Sequence, residues 1–168
     1  MQEILTQKIQ LNSNKISVCI RREDLIHPFV SGNKFRKLKY NLIEAKAKNQ
    51  DTLLTFGGAF SNHIAAAAFV GKQNGFKTIG IIRGDELESK ISENPTLKFA
   101  QECGMHFEFV TREDYRHKTD VSFLDKLKQK FGEFYLIPEG GTNSFAIKGC
   151  EEILTKDDSR YDFVCCVV

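Results

Sequence analysis

The five cysteines include no CxxC pair, and the four histidines, His27, His63, His106 and His117, show no metal-ligand spacing. An odd number of scattered thiols fits reduced cysteines in a cytoplasmic protein and gives no disulfide framework. No metal site is expected either. GxxxxGK[ST] is missing, which excludes a P-loop, and GxGxxG is missing as well. Ser61 is followed two residues later by His63 and not by glycine, so the nucleophile elbow is ruled out. No apolar stretch approaches the length of a membrane span, and "MQEILTQKIQ" has no basic segment leading into an apolar run. With a net charge of only +2, the chain has no bulk field for nucleic acid or an anionic membrane.

What remains is a globular composition of 41% hydrophobic and 27% charged residues over 168 positions. That length suits one domain, or a small domain plus part of another. Two alternating segments, "QKIQLN" and "KISVCI", flank Asn12-Ser13-Asn14 and predict a hairpin or two nearby strands. Phe35, Leu38, Leu42 and Ala45 then recur at helical spacing, with Ser31 and Asn33 as candidate caps. From residue 52 the strands "TLLTF", "KTIGIIRG", "HFEFV" and "FYLIP" alternate with the helices "SNHIAAAAFVGKQNG", "NPTLKFAQECG" and "VSFLDKLKQKFG". Such alternation predicts an α/β fold with a parallel sheet covered on both faces. A glycine turn and another helix follow in "EGGTNSFAIKGCEEILTK". The unalternating apolar run "FVCCVV" predicts a strand buried on both faces. A strand in that place needs cover, so the chain is expected to be a fragment or to meet a partner there.

Three stretches can carry chemistry. In "SGNKFRKLKY" a lysine, Lys34, stands at the start of a helix, where cations are disfavoured, with Arg36 and Lys37 close by. Such surroundings lower a lysine pKa, and a neutral amine attacks aldehydes to form Schiff bases. The other reading is a solvated lysine on a polar helix face. "TFGGAFSNH" runs from a strand through two glycines into a helix beginning at Ser61-Asn62, an anion site or simple capping. "PEGGTN" is a second glycine turn before a helix. The "KFRKLK" cluster lacks the aromatic platform that a nucleic-acid site would need.

Taken in order, "RREDLIHPFVSGNKFRKLKY", "TFGGAFSNHIAAAA" and "IPEGGTNSFAIKG" resemble the 1-aminocyclopropane-1-carboxylate deaminase / D-cysteine desulfhydrase family. Its members are pyridoxal 5'-phosphate enzymes of the tryptophan-synthase-β type, fold type II. The resemblance runs over nearly the whole chain but covers only about the first half of a family member. It implies that Lys34 bonds the cofactor aldehyde and that Ser61 meets the substrate carboxylate or acts on the substrate. Asn62 would reach the cofactor ring hydroxyl. His63 stands beside the substrate where the desulfhydrase-like branch carries histidine and the deaminases glutamine. Residues 1–49 would then be the N-terminal part of a larger domain, 50–157 a small α/β domain, and 158–168 the start of a return strand.

The implied activity is an amino-acid lyase or deaminase releasing ammonia and a 2-oxo acid, acting on a small amino acid, homodimeric when full-length. Lys39 replaces an acid usual in the family, while Ala146 and Cys150 replace a glycine and an aromatic. The family's phosphate-binding loop, pyridine-nitrogen partner and substrate tyrosines would all follow "FVCCVV". A non-catalytic α/β module binding a small anion at the Ser61 helix end, or serving as part of an assembly, is the other reading.

Overall fold

The computed structural model describes residues 4–11 and 16–166. β1 (Thr6–Ile9) and β2 (Val18–Arg21) pair antiparallel, with Thr6 opposite Arg21 and Ile9 opposite Val18. The turn expected at Asn12-Ser13-Asn14 lies outside the described residues. Arg21 ties this hairpin to a distant segment, donating to Asp158 at 2.5 Å and to the Ile153 carbonyl.

Helix α1 (Asn33–Ala47) follows the predicted stripe: Leu38 and Ala45 are buried, with Phe35 and Leu42 packed beside the core. Neither Ser31 nor Asn33 caps it, contrary to expectation. Asn33 is already the first helical residue. The cap position belongs to Gly32, at φ 58° and ψ −142°, a conformation that β-carbon-bearing residues rarely adopt.

Four parallel strands form the sheet, in the order β5-β4-β3-β6: β3 (Thr52–Gly57), β4 (Lys77–Arg83), β5 (Met105–Val110) and β6 (Tyr135–Ile137). Between them run α2 (Asn62–Asn74), α3 (Pro95–Glu102), α4 (Arg112–Arg116) and α5 (Val121–Phe131). The alternation read from the sequence is therefore present. Helix α4 was not anticipated, although Thr111 is a recognisable cap whose Oγ1 accepts from the Asp114 N–H at 3.0 Å. A 3-10 segment at Asp85–Glu93 was also missed.

Period-two alternation along β3 sends its side chains into two different cores. Leu53 joins Val30, Leu38, Ala66, Tyr135 and Ile137 under α1 and α2. Leu54 and Phe56 join Ile79, Ile81, Tyr115 and Leu127 on the opposite face. Each such side chain contributes about 1.5–3 kcal/mol of burial. The slim run Ala66–Ala68 is buried, and a β-carbon on Gly71 would overlap the Thr78 methyl, so α2 lies close on β4.

Helix α6 (Ser144–Cys150) packs on α1, and Gly149 faces the Arg36 carbonyl with no room for a side chain. The strand expected at "FVCCVV" is overturned for its described part. Residues 163–166 carry no strand pairing and are exposed, Phe163 at 88%. Among the described residues no strand lies alongside this segment and no apolar face covers it, so the hydrophobic pattern alone does not make a buried strand. Val167 and Val168 lie outside the described residues.

Candidate active site

β3 and β6 are hydrogen-bonded neighbours with Thr55 opposite Ile137, so the turns that leave their carboxyl ends emerge side by side. Open α/β sheets place ligands at such strand ends. A β-carbon at Gly57 would run into Ile64 and Ser61, so glycine is what lets α2 begin directly at the strand end. Ser61 is the cap of α2. Its Oγ accepts from the Ile64 N–H at 3.4 Å, and its own N–H donates to the Gly58 carbonyl at 3.1 Å. The N–H groups of Asn62 and His63 find no acceptor among the described residues and point from the positive end of a helix. Ser61 is half-buried and Asn62 exposed.

In the second turn, Gly140 and Gly141 take φ of 68° and 76°. The turn is anchored from behind. Asn143 caps α6 by accepting from the Ala146 N–H at 2.9 Å, and its Nδ2 donates to the Asn41 Oδ1 at 2.7 Å. Asn41 is fully buried in α1, accepts from the Tyr135 hydroxyl at 3.1 Å and donates to the Lys37 carbonyl at 2.7 Å. Sequence reasoning missed Asn41. Nothing in its neighbourhood along the chain marks it, because Tyr135 and Asn143 lie about 100 positions away.

Lys34 reaches this turn. Its Nζ donates to the Gly140 carbonyl at 3.3 Å, and burial lowers its pKa from the ordinary lysine value. Lys37 lowers it further, while Cys150 acts in the opposite direction. The direction agrees with the sequence argument, but the leading cause is desolvation. Arg36 has no part in it: the guanidinium is buried and held by Glu23 at 3.1 Å and Glu152 at 3.4 Å. Lys37 donates to Thr142 Oγ1 at 2.9 Å. Lys39, the departure on the helix surface, grips Glu152 at 2.7 Å and so ties α1 to the segment after α6.

His63 lies below the turns, 2% exposed. Its Nε2 is 2.8 Å from Thr55 Oγ1, and the same hydroxyl donates to the Ile137 carbonyl at 2.8 Å. Burial, then the charges of Lys34 and Lys37, push its pKa down to about 3, so the ring is neutral. Its Nδ1 has no partner, and no other buried side-chain polar atom among the described residues is left so. A β-carbon at Gly141 would lie 3.1 Å from His63 Cε1 and 3.4 Å from Nδ1.

Lys34, Ser61, Asn62 and His63 are thus gathered around two adjacent glycine turns, with the His63 imidazole inside and Ser61 and Asn62 at the surface. Glu139, the carboxylate of the second turn, is engaged by the Tyr115 hydroxyl at 2.8 Å and Lys118 at 3.2 Å. The two turns therefore set the cations Lys34 and Lys37 near free N–H groups, which suits a carboxylate or phosphate. No group of three or more metal-ligating side chains occurs among the described residues.

No family model matches the chain. It is 36% identical over 135 residues, 79% of this chain, to a candidate 1-aminocyclopropane-1-carboxylate deaminase of Thermotoga maritima. It is 28% identical over 158 residues, 89% of this chain, to a bifunctional D-cysteine desulfhydrase/1-aminocyclopropane-1-carboxylate deaminase, mitochondrial, of Arabidopsis thaliana. The chain spans 42% and 39% of the length of these curated relatives. Among solved structures it superposes on a homologue of 1-aminocyclopropane-1-carboxylate deaminase with a TM-score of 0.71 and 26% identity, over 93% of this chain and 49% of that one.

Proposed function

We propose that this chain, a relative of the 1-aminocyclopropane-1-carboxylate deaminase and D-cysteine desulfhydrase proteins, carries the amine-bearing side of a pyridoxal 5'-phosphate site. The observation that supports this most is Lys34: a half-buried amine of lowered pKa, held by one long hydrogen bond next to a helix end with free N–H groups. An aldehyde needs such an amine, and an anionic ligand needs such donors. The unpartnered His63 Nδ1 adds an unused acceptor in the same place. The residues present fit the cofactor, with Lys34 as its point of attachment and Asn62 the candidate for its ring hydroxyl.

Bound there, the cofactor would supply an electron sink for charge developing at the substrate Cα. The chain's own residues do the rest. The Ser61 hydroxyl and the N–H groups of Asn62 and His63 bind and orient the substrate carboxylate, which sets the direction in which Cα faces Lys34. Lys34, with its lowered pKa, serves as general base for the Cα proton at lower pH than an ordinary lysine. The charge of Lys37 disfavours a second ammonium at Lys34.

In the full-length protein we assign an amino-acid lyase or deaminase activity releasing ammonia and a 2-oxo acid. D-cysteine would yield pyruvate, ammonia and sulfide; the cyclopropane amino acid would yield 2-oxobutanoate and ammonia. The match spans only 42% and 39% of these relatives' length, so turnover is assigned to the full-length protein, here read as a homodimer, and this chain alone is expected to be weakly active or inactive. The test is turnover of both amino acids by full-length protein and by its Lys34→Ala variant. Loss of roughly a hundredfold or more in the variant is expected, in line with removal of a general base. Undiminished turnover by Lys34→Ala refutes the assignment. Failure of the wild type on both amino acids, with an anion still bound at the Ser61 helix end, would leave a non-catalytic anion-binding module.

A further inference from the structure

Glu139 and Gly140 are neighbours in the second turn, and the Gly140 carbonyl accepts from Lys34 Nζ at 3.3 Å. A carboxylate one residue away from a half-buried amine is its natural partner, and such a pair holds the amine as an ammonium. Among the described residues that pair is absent. Glu139 Oε1 accepts instead from the Tyr115 hydroxyl at 2.8 Å, and Oε2 meets Lys118 Nζ at 3.2 Å. Both carboxylate oxygens are occupied, and the Gly140 carbonyl is the acceptor left to Lys34.

This arrangement is built into the fold. Tyr115 is buried and packs with Leu54, Phe56 and Ile81 on one face of the sheet, its ring edge-on to Phe56 at 6.3 Å and 82°. Lys118 lies over the same ring, 4.7 Å from its centroid, and its N–H donates to the Tyr115 carbonyl at 3.3 Å. One short helix and its closing turn thus present both donors. A hydroxyl bonded to an ionised carboxylate makes a charge-assisted bond. Burial, then the Glu139 carboxylate, push the Tyr115 pKa up, so the hydroxyl keeps its proton and stays a donor.

The titratable groups that act on Lys34 or feel its charge are Lys37 from its own helix, His63 from α2 and Cys150 from α6. None is a carboxylate, so the placement of Glu139, the acid of the turn itself, decides whether the amine meets one. We infer that Tyr115 is a positioning residue: with Lys118 it clamps the Glu139 carboxylate away from Lys34, so that the amine keeps a neutral carbonyl as its acceptor and stays available to a carbonyl ligand. This rests on Lys34 being the reactive amine of the proposed function. The state of the amine is nevertheless measurable without any cofactor.

The experiment follows acylation of Lys34 by acetic anhydride in this chain as a function of pH, with the peptides mapped by mass. The free amine reacts and the ammonium does not, so the midpoint of the profile reads the Lys34 pKa. Tyr115→Phe removes the hydroxyl and releases one oxygen of Glu139. Its midpoint is expected about one pH unit above that of wild type, and its rate near neutral pH about tenfold lower. Adding Glu139→Gln to Tyr115→Phe should return both readouts to wild type. Glu139→Gln alone should stay within about twofold of wild type, because the carboxylate it removes is already held elsewhere. Lys118→Met should move the midpoint in the same direction as Tyr115→Phe, by less.

A Tyr115→Phe profile that matches wild type, or a shift that Glu139→Gln does not relieve, overturns the inference. The second result would mean that Tyr115 acts on Lys34 through packing and not through the carboxylate. If Tyr115→Phe does not fold, Lys118→Met with and without Glu139→Gln decides by the same two criteria. A chain that shows these shifts but never bonds pyridoxal 5'-phosphate would retain the clamp and lose the proposed function. Lys34 bonding the cofactor while its profile ignores Tyr115→Phe would do the opposite.

Discussion

The interior of the sheet and the turns at its carboxyl ends are built from the same strands to opposite standards. Inside, Leu54, Ile81 and Ile82 are fully buried among apolar neighbours and every alternation of β3 finds a covering helix. Three residues further along β3, at Gly57, the standard changes. Glycines replace side chains, two N–H groups lack acceptors, a lysine is half-desolvated on one long bond, and a buried imidazole keeps an idle lone pair. Buried polar groups left unpaired cost free energy, so their concentration at one end of an otherwise well-satisfied fold is what marks the site. The interior supplies the stability that the turns spend.

The largest expected effect falls on the interior. Leu54→Ala should lower the unfolding free energy by about 2–5 kcal/mol, read by urea denaturation, because it opens a cavity between the sheet and the helices α4 and α5. A loss below about 1 kcal/mol would mean that the two regions do not differ as described.

His63 gives the next effect, with a definite sign. Its folded pKa, about 3, lies below the ordinary value of 6.5, so the unfolded chain binds more protons between those limits. Its contribution is complete above the unfolded pKa and is lost as pH falls toward the folded one. Between about pH 7 and about pH 5 wild type should lose about 2 kcal/mol more than His63→Gln, which cannot titrate. Parallel pH profiles for the two proteins would show that the imidazole is not held neutral.

A smaller effect is expected for Ser61→Ala, about 0.5–2 kcal/mol of stability through the lost cap, together with weaker binding of small carboxylates. Stability without any change in carboxylate binding would reduce Ser61 to a cap. The smallest belongs outside both regions: Phe163→Ser should stay within about 0.5 kcal/mol of wild type, since that side chain is almost wholly exposed. A large loss there would reveal cover that the described residues do not supply.

The sequence made the interior legible because apolar runs, capping residues and glycine punctuation are local signals. Pro95 opens α3 and Gly75 closes α2 as their positions suggest. Lys34 and the "SNH" turn were also visible, one through awkward charge placement and the other through a strand-glycine-helix pattern. What escaped depends on contacts distant along the chain. Arg36 was counted as a neighbour cation of Lys34 because Glu23 and Glu152, 13 and 116 positions away, do not announce themselves as its partners. Thr55, Asn41 and Asn143 act through pairings fixed only once β6 lies beside β3. The run "FVCCVV" misled for the complementary reason: hydrophobicity states a need for cover, and only tertiary structure can meet it.

The central claim, that Lys34 is a reactive amine set beside an anion-binding turn, is tested most directly by treating the chain with pyridoxal 5'-phosphate, reducing with borohydride and mapping the peptides by mass. The account predicts a phosphopyridoxyl increment concentrated on Lys34, ahead of the exposed lysines and abolished in Lys34→Ala. Label spread evenly over surface lysines, with Lys34 unmodified, would contradict it.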